Sequence, residues 1–238
     1  MHVPSPASLI GTRRATSMAM LAGACLAGAA PAASAQVSGS IAYASDYRFR
    51  GMSLSDGRAS VQFGLAYDGS DGWYAGALLA GTRLDAGRAG QHLLAYGGYA
   101  QRLANGLVWE LGGSRSAFSQ APDYGYGELY AGLSGERFGV RLYYSPNYFG
   151  HGARTLYAEI NATLSLSRQV KFLAHLGHLH NLSGPSYPQR YDAGAGLVFS
   201  IGQCALQVTH SHSALRHPAY ANSIYRADRT SVSASWSF

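Results

Sequence analysis

From about residue 37 to the C-terminus, apolar side chains alternate with small or polar ones in segments roughly ten residues long. Ala59, Val61, Phe63, Leu65 and Tyr67 share one parity, and Ser60, Gln62, Gly64, Ala66 and Asp68 the other. Phe138, Val140, Leu142 and Tyr144 oppose Arg137, Gly139, Arg141 and Tyr143. Leu156, Ala158, Ile160, Ala162 and Leu164 oppose Tyr157, Glu159, Asn161 and Thr163. At the C-terminus Val232, Ala234, Trp236 and Phe238 oppose four serines, Ser231, Ser233, Ser235 and Ser237. Successive side chains of a strand point to opposite faces, so each segment is a strand with one oily face and one polar or small face.

Twelve such segments are legible. They start near Val37, Ala59, Gly72, Gln91, Gly106, Asp123, Arg137, Arg154, Gln169, Arg190, Gln203 and Asp228. Short connections (69–71, 103–105, 134–136, 165–168, 201–202) alternate with longer ones (51–58, 82–90, 116–122, 146–153, 181–189, 213–227). An even number of strands joined alternately by tight turns and long loops is the pattern of an outer-membrane barrel. The expected fold is an all-β transmembrane antiparallel up-and-down barrel of about twelve strands, with short periplasmic turns, longer extracellular loops and both termini periplasmic. A soluble sandwich would share the alternation, but its strands typically run about five or six residues, whereas a tilted membrane strand needs about 9–11.

Composition agrees. Charged residues make up 13% of the chain, about half the share of an average soluble protein. Gly and Tyr are abundant, at 30 and 17. After the first segment no apolar run is long enough for a spanning helix. Aromatic residues near segment ends, Trp73, Tyr99, Tyr144, Tyr191 and Trp236, suit girdles at the two membrane interfaces.

Residues 1–35 read as a cleaved signal peptide and 36–238 as the barrel domain. Arg13 and Arg14 form the basic region, an apolar run extends from about Met18 to Ala30, and Ala33-Ser34-Ala35 offers a cleavage site before Gln36. Lipid attachment at Cys25 is the lesser alternative, since Ala22 stands where lipoprotein signals carry Leu. Cleavage removes two Arg and no acid, taking the net charge from +6 to +4. No basic cluster supports nucleic-acid binding. Only Cys204 survives, so no internal disulfide can form.

In hydrocarbon every backbone N–H and C=O needs an internal partner, so the first strand, 37–49, is expected to pair with the last, 228–238. The final strand, ending on Trp236 and Phe238, is similar to the signal read by the barrel assembly machinery.

The string Ser45-Asp46-Tyr47-Arg48-Phe49-Arg50-Gly51-Met52-Ser53-Leu54-Ser55-Asp56, followed by Gly72-Trp73-Tyr74-Ala75-Gly76, resembles the TorF family of porin-type barrels from proteobacteria. The likeness covers the mature chain in length and layout and is specific over 43–76. Ala59-Ser60 stands where that family commonly has a proline, and Leu78-Leu79-Ala80 replaces its usual Trp and Asn. The resemblance implies a porin-type barrel and no further mechanism.

By parity Asp46, Arg48 and Arg50 should face the lumen near its outer mouth, with Glu110, Glu128, Arg141, Glu159 and Lys171 along the walls. They are the candidate pore-lining residues. They could form a hydrated mixed-charge ladder, or pair off and fill the barrel, since twelve strands lie between filled and open barrels. His175, His178 and His180, like His210, His212 and His217, suggest a metal site. However, His178, His180, His210 and His212 take the lipid-side parity, and no metal or other cofactor is expected. No His has Ser two residues on, the spacing of barrel lipid hydrolases, so no catalytic residue is assigned. The expected function is passive diffusion of small hydrophilic solutes across the cell outer membrane. Expected partners are outer-membrane lipid, the assembly machinery and the solutes. The alternatives are a structural or surface-binding barrel with a filled lumen and, behind it, a lipid hydrolase.

Overall fold

The computed structural model describes residues 35–84, 88–184, 189–215 and 228–238. The proposed signal peptide lies outside them, except for Ala35. The chain forms β1 (Gln36–Ala44), β2 (Arg48–Phe49), β3 (Met52–Ser53), β4 (Ser60–Asp68), β5 (Trp73–Leu84), β6 (Arg88–Arg102) and β7 (Val108–Phe118). A 3₁₀ turn (Pro122–Tyr124) precedes β8 (Tyr126–Ser134), β9 (Phe138–Tyr148), β10 (Ala153–Ser165), β11 (Val170–Ser183), β12 (Arg190–Ile201), β13 (Cys204–Leu215) and β14 (Asp228–Ser237). β1 and β4–β14 close into one antiparallel barrel, and β2 and β3 form a separate hairpin.

Closure runs through β1 and β14. Their register sets Ser40 opposite Ser237 and Ala44 opposite Ser233. Gly39 and Phe238 exchange two backbone hydrogen bonds of 2.8 and 2.9 Å at its end. The twelve expected strands are therefore the twelve of the barrel wall. Some boundaries differ: the first strand was expected to run to Phe49, but it leaves the wall at Ala44. The next residues turn inward because Tyr47, Phe49, Met52 and Leu54 all find burial there. On that same side β5 runs to Leu84 and β6 starts at Arg88, so strand extends into both ends of the connection expected at 82–90. Polar and glycine residues that read as loop are held in strand by cross-strand pairs such as Arg83 with Ala89.

The outer face is oily, with Leu65 57%, Leu129 67% and Leu176 61% exposed in a belt of large apolar residues. Water tolerates no contiguous apolar patch of that size on a soluble monomer, so the belt fits hydrocarbon. Inside, tyrosines lie flat against the wall over glycines of neighbouring strands. A Cβ at Gly76 would strike the Tyr96 ring, one at Gly112 the Tyr130 ring, and one at Gly177 the Tyr157 hydroxyl. Gly98 likewise leaves room for Tyr74, whose hydroxyl would lie 2.6 Å from an added Cβ. The abundance of Gly and Tyr is in part this pairing.

Candidate functional site: the barrel lumen

The segment between β1 and β4, expected as the end of the first strand followed by an outer loop at 51–58, is folded into the lumen. Its tip is a two-residue turn: Phe49 pairs with Met52 and Arg48 with Ser53, leaving Arg50 and Gly51 between them. Both have positive φ, 47° and 76°, as a type I′ hairpin turn requires. The conformation is costly for Arg50, which has a Cβ. At the far end of the segment Asp56 and Gly57 repeat the device, with φ of 55° and 68°.

The hairpin crosses the barrel. A Cβ on Gly51 would stand 2.6 Å from Cβ of Asp192 on β12 and 2.9 Å from Cβ of Ser213 on β13. Arg50 reaches β8, where it donates to both oxygens of Glu128 at 2.7 and 2.8 Å. Its guanidinium also lies 4.4 Å from the Tyr143 ring centre and 4.3 Å from that of Tyr157. This is a two-pronged ion pair with aromatic contacts, the geometry that guanidinium favours.

Asp46 organises the root of the segment. Its carboxylate accepts from Ser53 and Ser55 at 2.5 and 3.1 Å and stands 3.3 Å from Arg48 and 3.7 Å from Arg229. Arg48 in turn donates to the Gly51 carbonyl at 2.6 Å, and Arg229 to the Gly57 carbonyl at 2.7 Å. The Arg83 amide of β5 donates to the Leu54 carbonyl at 2.8 Å. The apolar side of the segment, Tyr47, Phe49, Met52 and Leu54, belongs to one buried cluster with Leu78, Leu94, Phe118, Tyr126, Tyr148 and Phe149. Tyr47 shares a hydrogen bond of 2.9 Å with His92, which stacks on Phe118 with ring centres 4.5 Å apart. Burial raises the Tyr47 phenol above its ordinary range, so it stays neutral.

A second network lies nearer the short-turn rim. Glu110 accepts from Arg141 Nε at 2.8 Å and from the Tyr74 hydroxyl at 2.8 Å. The Tyr74 and Tyr130 hydroxyls are 2.8 Å apart. Arg141 also donates to the Tyr143 hydroxyl at 3.0 Å, and that hydroxyl donates to Glu159 at 3.3 Å. His175 lies 2.8 Å from Asp192 and 2.7 Å from Asn161.

The structure thus places seven of the eight candidate residues, Asp46, Arg48, Arg50, Glu110, Glu128, Arg141 and Glu159, inside the barrel in these networks. Lys171 is half-buried near the short-turn rim, opposite Val198 and Ser165. For Asp46, Arg48 and Arg50 strand parity pointed to the right place for the wrong reason, since they ride on the infolded segment. The candidate set left out Arg229, although it shares the parity of Ser231, Ser233 and Ser235, and it held none of the lumen tyrosines, although Tyr143 and Tyr157 share the parity of Arg141 and Glu159. His178, His180, His210 and His212 stand on the outer face, His178 stacked on Tyr191 with ring centres 4.2 Å apart. His217 lies outside the described residues. Among the described residues no group of three or more His, Cys, Asp and Glu is placed to hold a metal.

Beside the infolded segment a cavity of ≈ 140 Å³ remains. One wall is Ala42 and Ala44 of β1, Gln62 of β4, Gln207 and Thr209 of β13, and Ser231, Ser233 and Ser235 of β14; Tyr157, Asn161 and His175 face them. Large side chains fill the β5–β10 side of the barrel, and the cavity lies against the small side chains of β1, β13 and β14.

A family model described as "Bacterial protein of unknown function (Gcw_chp)" matches residues 28–238. The chain belongs to the Gcw_chp family. No curated protein sequence is detectably similar to it. Among solved structures it is similar to the NanC porin, with TM-score 0.58 and 12% identity over 85% of this chain and 99% of that one. It is also similar to the KdgM porin, with TM-score 0.56 and 13% identity over 84% and 99%. At that identity the likeness establishes the shared barrel fold.

Proposed function

We propose that the protein is a porin-type channel of the outer membrane through which small hydrophilic solutes diffuse passively. The observation that carries this reading is the cavity beside the infolded segment, walled by hydroxyl and amide side chains in a barrel whose outside is apolar. The TorF resemblance of residues 43–76 and the porin names of the structural neighbours point the same way. In this reading the short turns and termini face the periplasm. Trp73, Tyr99, Tyr144, Tyr191 and Trp236 sit at the membrane interfaces, and the strand ending in Trp236 and Phe238 engages the assembly machinery. Asp46, Arg48, Arg50, Glu110, Glu128, Arg141, Glu159 and Lys171 keep the lumen polar without giving it a strong sign. Their acids and bases neutralise one another, as in Arg50–Glu128 and Arg141–Glu110.

One observation favours a second reading, a barrel with a closed, structural lumen. The Arg50–Glu128 pair and the aromatic cluster occupy much of the outer half of the barrel. Planar-bilayer recording of the purified protein separates the two. Discrete conductance steps are expected of the channel, and a silent bilayer with verified insertion would leave the structural reading.

A further inference from the structure

Two kinds of surface line the cavity: the ionic groups Asp46, Arg48, Arg50, Glu159 and Asp192, and a wall that carries none. The Arg50–Glu128 and Arg141–Glu110 pairs are anchored on β7, β8 and β9. Across from them, β14 presents Ser231, Ser233 and Ser235 to the cavity, flanked by Gln207 and Thr209 of β13 and Gln62 of β4. No residue of that wall carries a formal charge. Register keeps the wall continuous: Ser233 lies opposite Gln207 on one side and Ala44 on the other, and Ser231 opposite Thr209.

We infer that this hydroxyl and amide wall is a track for small uncharged polyhydroxylated solutes, that is, polyols and monosaccharides. The inference rests on the channel reading above and names its substrate class. Each Ser or Thr hydroxyl both donates and accepts, as do the hydroxyls of a polyol. Alternate residues of a strand repeat about every 6.6 Å, and neighbouring strands lie about 4.8 Å apart. A polyol can therefore exchange water for wall partners a few hydroxyls at a time. Neutral hydrogen bonds of this kind are worth little net, so the solute binds weakly enough to leave.

An ion is served less well. It must shed water beside a wall with no charge to offer. The ionic groups that line the cavity already have partners: Asp46 with Arg48 and Arg229, Arg50 with Glu128, Asp192 with His175, and Glu159 with the Tyr143 hydroxyl. An acidic sugar meets the same obstacle. The KdgM porin, by contrast, is described in complex with oligogalacturonate, a polyanion.

The test is solute flux into proteoliposomes carrying the full barrel, with glycerol, erythritol, ribose and glucose set against potassium gluconate. Three variants accompany the wild type: Ser233→Phe, which obstructs the track, Ser233→Asp, which charges it, and Leu129→Phe on the lipid face as control. Heat-modifiable gel migration verifies that each is folded. Neutral solutes should enter about tenfold or more faster than gluconate of similar size. Ser233→Phe should cut polyol entry severalfold while Leu129→Phe leaves it unchanged. Ser233→Asp should shift the reversal potential in a KCl gradient toward cation preference. Polyol entry unaffected by a folded Ser233→Phe, or gluconate entering as fast as glucose, would overturn the inference while the channel reading survives. Absence of every flux and of all conductance would overturn both.

Discussion

Arg50 and Glu128, 78 residues apart in sequence, meet inside the barrel through two hydrogen bonds of 2.7 and 2.8 Å, with both side chains nearly inaccessible to water. This contact ties the infolded segment to the wall opposite its origin. Removing one partner leaves a buried charge uncompensated, a loss of about 3–5 kcal/mol. Arg50→Ala should therefore lower the thermal midpoint in detergent and expose Arg48 and Arg58 to trypsin. Replacing both partners with apolar residues, Arg50→Met with Glu128→Leu, should recover most of the loss. A trypsin pattern identical to wild type in folded Arg50→Ala would show that the pair does not hold the segment.

The apolar side of the segment makes its own contribution. Leu54 is 1% exposed, so Leu54→Ala should cost about 2–5 kcal/mol. Hydrogen exchange is the sharper readout. Protection of the Arg83 amide, bonded to the Leu54 carbonyl, should fall, while protection at the short-turn end of β10 and β11, where Thr163 pairs with Leu173, should hold.

Gly177 and Tyr157 test the packing of rings over glycines. An added methyl at Gly177 would meet the Tyr157 hydroxyl and would lie 2.7 Å from a carboxylate oxygen of Asp192. Gly177→Ala should cost about 1–3 kcal/mol. Combined with Tyr157→Ala it should cost less than the two single changes added together. Strict additivity in urea-dependent folding would refute the steric account.

The outer belt predicts a depth-dependent penalty. Leu129 lies mid-strand on the oily face of β8. Leu129→Arg should destabilise the barrel in lipid vesicles by about 2–4 kcal/mol if that face meets the bilayer midplane. The same change at Val37, at the strand end beside the short turns, should cost little.

The barrel was legible in the sequence because a period of two is local. The parity of Ala59–Tyr67 or of Val232–Phe238 can be read without knowing any neighbour, and the same parity places Glu110, Glu128, Arg141 and Glu159 inside. The infolded segment was not legible, because alternation from Tyr43 through Arg50 fits a continued strand equally well. Two cues were present in the residues. Arg50-Gly51 and Asp56-Gly57 are turn pairs close together, and Asp-Gly is a strong hairpin signal. Tyr47, Phe49, Met52 and Leu54 also change parity across the first of them. Which acid meets Arg50 depends on the register of strands far away in sequence, and no local pattern carries that.

In the channel reading the first connection narrows the lumen without sealing it. Liposome swelling with solutes of graded size, comparing wild type with Arg50→Ala, tests it most directly. Wild type should admit small polyols and show entry falling steeply with size, and Arg50→Ala should move the cut-off to larger solutes. No swelling with any solute in either protein, with insertion verified, would contradict the account.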